Sequence, residues 1–103
     1  RCYYRYIFPY KDLYWIVYSK INPIELFKQN PGRFTMWHVK DMDKNNATLN
    51  TEIGSGSIDF KSIFEEAKLS GMKHFFVEQE TNYMPNEIAS IKTSCEFIVK
   101  ELI

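Results

Sequence analysis

An imidazole and several carboxylates stand at the ends of short apolar runs in this 103-residue chain. His38 opens the stretch His38-Val39-Lys40-Asp41, directly after Phe34-Thr35-Met36-Trp37, and Glu78 follows His74-Phe75-Phe76-Val77. Asp12 precedes a third apolar run, Leu13-Tyr14-Trp15-Ile16-Val17. Parallel α/β sheets carry their ligands at the C-terminal ends of strands, so residues in these positions project from one rim. On neighbouring parallel strands, His38 and Glu78 would stand about 4.8 Å apart, close enough to converge on one cation. Asp12 supplies a third ligand if it ends the strand before them. Imidazole with carboxylates suits Mn²⁺, Mg²⁺, Co²⁺ or Zn²⁺, and no thiol lies near these motifs to favour a zinc or iron–sulfur site.

Each residue also has a simpler reading. His38 serves equally as a hydrogen-bonded strand histidine, Glu78 as a solvated strand end and Asp12 as a turn residue. Lys40 and Asp41 either meet substrate oxygens or begin the loop that follows. Gly54 and Gly56 offer backbone N–H groups to a sugar or phosphate oxygen, or answer a conformational need of the loop. Glu80 reads as a rim residue that hydrogen-bonds behind the ligands, and His74 as a surface residue at the opposite end of its strand.

The elements that must position these groups alternate between strand and helix signals, the pattern of parallel α/β packing. Tyr3 to Phe8 is aromatic and β-favouring up to Pro9. Pro23 stands at a first helical position, and that helix stops before Pro31-Gly32. Phe34 to Val39 reads as a buried strand, and Asp41 to Thr51 as a long polar loop. Asp59 caps a helix in which Phe60, Ile63, Phe64 and Ala67 share a face, and Gly71 closes it. His74 to Val77 is the next strand. The last helix starts near Pro85-Asn86 and is expected to bury Ile88, Ile91, Cys95, Ile98 and Leu102 along one stripe.

Thirteen basic and thirteen acidic residues cancel, so no long-range field draws the chain to nucleic acid or to an anionic membrane. No apolar run is long enough to span a bilayer, and the basic, aromatic start lacks the apolar core of a signal peptide. A cytoplasmic location is the expectation. Cys2 and Cys95 lack Cys-x-x-Cys spacing and read as reduced thiols. Asn46-Ala47-Thr48 matches a glycosylation sequon by pattern only. Seven Tyr, eight Phe and two Trp are many for so short a chain; rings left exposed on a three-stranded unit predict a homo-oligomer.

Taken together, Asp12-Leu13-Tyr14-Trp15, Asn22-Pro23, Pro31-Gly32-Arg33-Phe34, His38-Val39-Lys40-Asp41 and Val77-Glu78-Gln79-Glu80 resemble the sugar phosphate isomerase/epimerase family, the xylose isomerase-like TIM barrels. A (β/α)8 barrel needs about 250 residues, so the resemblance implies an α/β fold made of about the last three βα units of a partial barrel, with parallel strands. Residues 1–103 would form a single C-terminal fragment of that domain. The resemblance implies a divalent metal held by Asp12, His38 and Glu78, with Glu78 also the catalytic acid/base that moves a proton next to a carbonyl. Trp15, Lys40 and Asp41 would contact a small sugar or sugar phosphate. The family's second glutamate lies on a strand this chain does not contain, so the isolated chain is expected to be inactive. A sugar lyase or hydrolase would use the same rim, and a self-associating α/β fragment without catalysis is the alternative from another class.

Overall fold

The computed structural model describes residues 10–103. The strand expected over Tyr3 to Phe8, and Cys2, lie outside the described residues. Three parallel strands form the central sheet: β1 (Tyr10–Asp12), β2 (Met36–Val39) and β5 (His74–Val77), in the order β1-β2-β5. Helices α1 (Leu13–Tyr18) and α2 (Pro23–Gln29) connect β1 to β2. A short antiparallel pair, β3 (Asp41–Met42) and β4 (Asn50–Thr51), and helices α3 (Phe60–Glu65) and α4 (Ala67–Ser70) connect β2 to β5. Helix α5 (Glu87–Phe97) follows and runs into a wider π-helical turn, Ile98–Leu102. This is an α/β fold of successive βα units whose sheet remains open, a partial (β/α)8 barrel.

Local chemistry explains where the helices begin. The Asp12 carboxylate accepts from the N–H of Tyr14 at 2.9 Å and of Trp15 at 3.4 Å, so one residue ends β1 and caps α1. Asn22 caps α2 ahead of Pro23, whose missing N–H costs nothing in the first turn. Asp59 accepts from the N–H of Ser62 at the start of α3, and Gly71 ends α4 in the left-handed conformation. The proline start of α2, the Asp59 cap and the closing Gly71 stand as the sequence suggests, although the expected single helix over 59–71 is broken between Glu65 and Ala67.

Alternation along β2 sends Trp37 and Val39 to the face covered by helices and Met36 and His38 to the other. Trp37 is fully buried, stacked on Phe27 at 5.3 Å between centroids and met edge-on by Phe64 at 5.2 Å. Leu13, Ile16, Leu26, Phe34, Phe60 and Ile63 complete this side of the core.

Two further elements differ from expectation. The polar stretch from Asp41 to Thr51 is a tied-down hairpin, since Asp41 pairs with Thr51 and Met42 with Asn50. The last helix also turns a different face inward. Ser90 and Ser94 are buried, while Ile88, Ile91 and Cys95 are exposed; of the expected stripe only Ile98 is buried and Leu102 packs partly against the core. Hydrogen bonding decides the rotation of the helix. Ser94 Oγ accepts from the N–H of Ile53 at 2.9 Å, and Ser90 Oγ accepts from Met84 N–H at 2.8 Å while donating to Glu52. Among the described residues no helix is long and apolar enough to cross a membrane.

Candidate metal centre

The register of the sheet brings the three ligand candidates together. Asp12 lies opposite His38, and His38 opposite Phe76, so all three side chains share one face. Glu78 is two residues beyond Phe76 and returns to that face, held in line by its N–H bond to the Val39 carbonyl at 2.9 Å. One ligand atom from each of Asp12, His38 and Glu78 lies within 4.8 Å of the others. The His38 Nδ1 is 2.8 Å from Glu78 Oε1, and the His38 ring rests 5.7 Å from that of Phe76. All three residues are half-buried. An imidazole nitrogen and two carboxylates on a partly open rim fit an oxygen- and nitrogen-preferring divalent cation, and the open side leaves coordination positions for water or a second molecule.

Lys40 stands behind this rim. Its side chain is buried, with Nζ 2.7 Å from Glu80 Oε1 and 3.8 Å from Asp12 Oδ2. The ammonium also lies over the rings of Tyr14 and Trp15, at 5.2 and 5.6 Å from their centroids. Burial alone would lower the Lys40 pKa, but the hydrogen bond it donates to Glu80 and the carboxylates of Asp12 and Glu78 raise it overall. Burial raises the Asp12 carboxyl, against the opposing pull of Lys40 and of the backbone N–H groups. The hydrogen bond accepted from Lys40 holds Glu80 below the ordinary range. Trp15 is 52% exposed and forms an open aromatic surface beside the lysine, packed edge-on against Tyr14 and Tyr18.

Asp41 occupies a different environment from the rim ligands. It is fully buried, and its carboxylate accepts from four backbone N–H groups: Met42 at 2.8 Å, Gly54 at 2.9 Å, Gly56 at 3.1 Å and Ile58 at 3.2 Å. The N–H groups of Gly54 and Gly56, expected to be available to a sugar or phosphate oxygen, are therefore engaged by the protein's own carboxylate. Their glycines answer crowding: a Cβ on Gly54 would enter the ring of Phe97, and one on Gly56 would strike the Met42 carbonyl and the Asp41 carboxylate. Burial raises the Asp41 pKa, and the four donors oppose the rise.

Sequence reasoning missed three polar residues near the rim. Glu52 is buried and takes hydrogen bonds from Ser90 at 2.5 Å, Thr51 at 3.1 Å and Gln79 at 3.4 Å. Asn50 bonds to the chain just past Glu78, and Tyr14 donates its hydroxyl hydrogen to the Ala47 carbonyl. Only the polar character of 41–52 hinted at the roles of Asn50 and Glu52. His74 is exposed at the far end of β5, as its position in the strand suggests. A cleft of about 450 Å³ opens between the end of β5 and α5, lined by Glu78, Glu80, Tyr83, Glu87, Ile88 and Ile91, among others.

No family model and no curated protein matches the chain. Two solved structures from Parabacteroides distasonis do. Both are described as a sugar phosphate isomerase/epimerase. One superposes with a TM-score of 0.68 at 27% identity, over 86% of this chain and 29% of that one. The other gives 0.67 at 26% identity, over 84% of this chain and 28% of its own. The chain resembles sugar phosphate isomerase/epimerases. It spans less than a third of the length of these two structures, and the open three-stranded sheet corresponds to that part of their fold.

Proposed function

We propose that this chain carries the cation-binding rim of a sugar isomerase or epimerase, with Asp12, His38 and Glu78 as ligands of one divalent metal ion. The observation that supports it most is the convergence of these three donor groups within 4.8 Å on one face of a parallel sheet. Such an ion supplies Lewis acidity toward a substrate carbonyl and hydroxyl. Glu78, exposed enough to reach a bound molecule, takes or returns a proton on the carbon next to the carbonyl. The open face of Trp15 flanks the position of the sugar as an apolar wall, and the buried Lys40 ammonium, held by Glu80, lends positive charge from behind the rim. Asp41 would act on substrate only indirectly, by fixing the loop that follows Lys40. Small sugars or sugar phosphates are the substrate class proposed.

The test is paramagnetic. Substoichiometric Mn²⁺ added to isotopically labelled protein is expected to broaden the His38 ring resonances and the amides of residues 12 and 78 first. Uniform broadening over all exposed acidic residues would sink the reading.

A second reading concerns assembly. Phe76 at the sheet, Met84 ahead of the last helix, Ile88 and Ile91 on it and Val99 in the turn that continues it are exposed apolar side chains, which favours self-association of the chain. Sedimentation velocity of the purified chain is expected to give a dimer or larger species, and a monomer at all concentrations would refute this.

A further inference from the structure

Asn50 lies at the end of the hairpin in the middle of a cluster of bonds that no ligand role accounts for. It is buried at 6% exposure. Its Oδ1 accepts the N–H of Glu80 at 2.7 Å, its own N–H donates to Thr81 Oγ1 at 3.1 Å, and its carbonyl accepts from Asn82 Nδ2 at 3.1 Å. The same hairpin accepts the Tyr14 hydroxyl, from the helix that Asp12 caps, at its Ala47 carbonyl. Asn50 thus ties the hairpin to the loop after β5, beside the rim.

From these contacts we propose that Asn50 is a positioning residue of the cation rim, acting through Glu80 and Lys40. The argument is electrostatic. Among the described residues, the buried Lys40 ammonium has two carboxylates within ion-pair distance, Glu80 at 2.7 Å and Asp12 at 3.8 Å. As long as Glu80 holds the ammonium, Asp12 Oδ2 keeps a lone pair for a metal ion. The Glu80 side chain is 69% exposed, so little besides its backbone anchor keeps it on the lysine, and that anchor is Asn50. Without the anchor, Glu80 swings into solvent. Lys40 then turns to Asp12, because a buried ammonium keeps whatever partner remains. A lysine paired with Asp12 competes with a cation for the same carboxylate.

The inference rests on reading the rim as a cation site, and its test separates the two ideas. Mn²⁺ dissociation constants are measured by the electron paramagnetic resonance of free Mn²⁺, and the Lys40 ammonium is followed by nitrogen-15 NMR in the metal-free chain. Asn50→Ala is expected to weaken Mn²⁺ binding about tenfold, the lower end of what residues behind metal ligands contribute. Asn50→Asp, which keeps the oxygen that accepts from Glu80, restores most of it. Glu80→Gln, which keeps the side chain's size and removes its charge, weakens binding in the same direction as Asn50→Ala. In a Lys40→Met background, which removes the competitor, Asn50→Ala has no further effect on the dissociation constant.

An equal loss from Asn50→Ala with and without Lys40 would overturn the proposal, because a loss independent of the lysine is only structural. So would unchanged Mn²⁺ affinity in both Asn50→Ala and Glu80→Gln. A parent chain that takes up no Mn²⁺ would refute the cation reading itself. The clamp then stands on the Lys40 resonance, which Asn50→Ala must shift and which, unshifted, refutes the clamp as well.

Discussion

Two carboxylates twenty-nine positions apart, Asp12 and Asp41, both stand at or just past the C-terminal end of a strand, yet the fold treats them in opposite ways. Asp41 is enclosed, and four backbone N–H groups from its own loop and from residues 54–58 take up its oxygens. Asp12 gives one oxygen to the cap of α1 and leaves the other facing Lys40, within 4.8 Å of donor atoms on His38 and Glu78. The first carboxylate is the centre around which a glycine loop is built. The second is part of a rim with acceptor capacity to spare. What separates a structural acid from a ligand here is which groups satisfy its lone pairs: four backbone donors fill those of the buried Asp41, whereas the half-buried Asp12 keeps one oxygen open to the rim.

Removing the enclosed carboxylate is expected to have the largest effect. Asp41→Ala leaves four buried donors without an acceptor and is expected to cost at least about 3 kcal/mol of stability, read by urea unfolding. A loss below about 1 kcal/mol would show that the loop finds other acceptors and that the contrast with Asp12 is false. At the rim the pattern reverses. His38→Ala and Glu78→Gln are each expected to change stability by less than about 1 kcal/mol while weakening Mn²⁺ binding at least about a hundredfold, beyond what supporting residues contribute. Calorimetry on the same samples reads both quantities, and a large stability loss with unchanged Mn²⁺ binding would make the rim the structural region.

Gly56→Ala sharpens the comparison further. The added Cβ meets the Met42 carbonyl and the Asp41 carboxylate, so a loss of about 1–3 kcal/mol is expected with Mn²⁺ affinity retained. Thermal unfolding decides it, and a variant as stable as the parent would mean the loop has room to move. The smallest effect concerns pH. Burial would raise the Glu52 carboxyl, but the hydrogen bonds from Ser90, Gln79 and Thr51 bring it below its ordinary 4.5. A lowered folded value gives stability that is present above about pH 4.5 and lost as pH falls through the folded value. Glu52→Gln is therefore expected to flatten the acid side of a stability–pH curve, and an unchanged slope would remove Glu52 as its source.

Much of the rim was legible because it depends on strand ends, and the apolar runs before His38 and Glu78 marked those ends clearly. Parallel order then put the three groups on one face without further information. Helix caps at Asp59 and Gly71 and the proline start of α2 were equally readable, since each is a local event between near neighbours. The hairpin was not readable: strands of two residues have no periodicity, and their pairing is held by bonds from Asn50 to residues thirty positions away. The first helix was hidden for a similar reason. Leu13 to Tyr18 is rich in aromatic and β-branched residues, and the cap from Asp12 outweighs that preference. The last helix misled because its apolar stripe is conspicuous, whereas the side it buries is chosen by two serines bonded near Glu52.

Native mass spectrometry with Mn²⁺ tests the central claim most directly, because it counts ions on each folded chain. One Mn²⁺ per chain is predicted, lost in His38→Ala and kept in His74→Ala, whose exposed imidazole lies at the other end of its strand. No specific uptake by the parent, or uptake that survives His38→Ala, would contradict the assignment of Asp12, His38 and Glu78 as a metal rim.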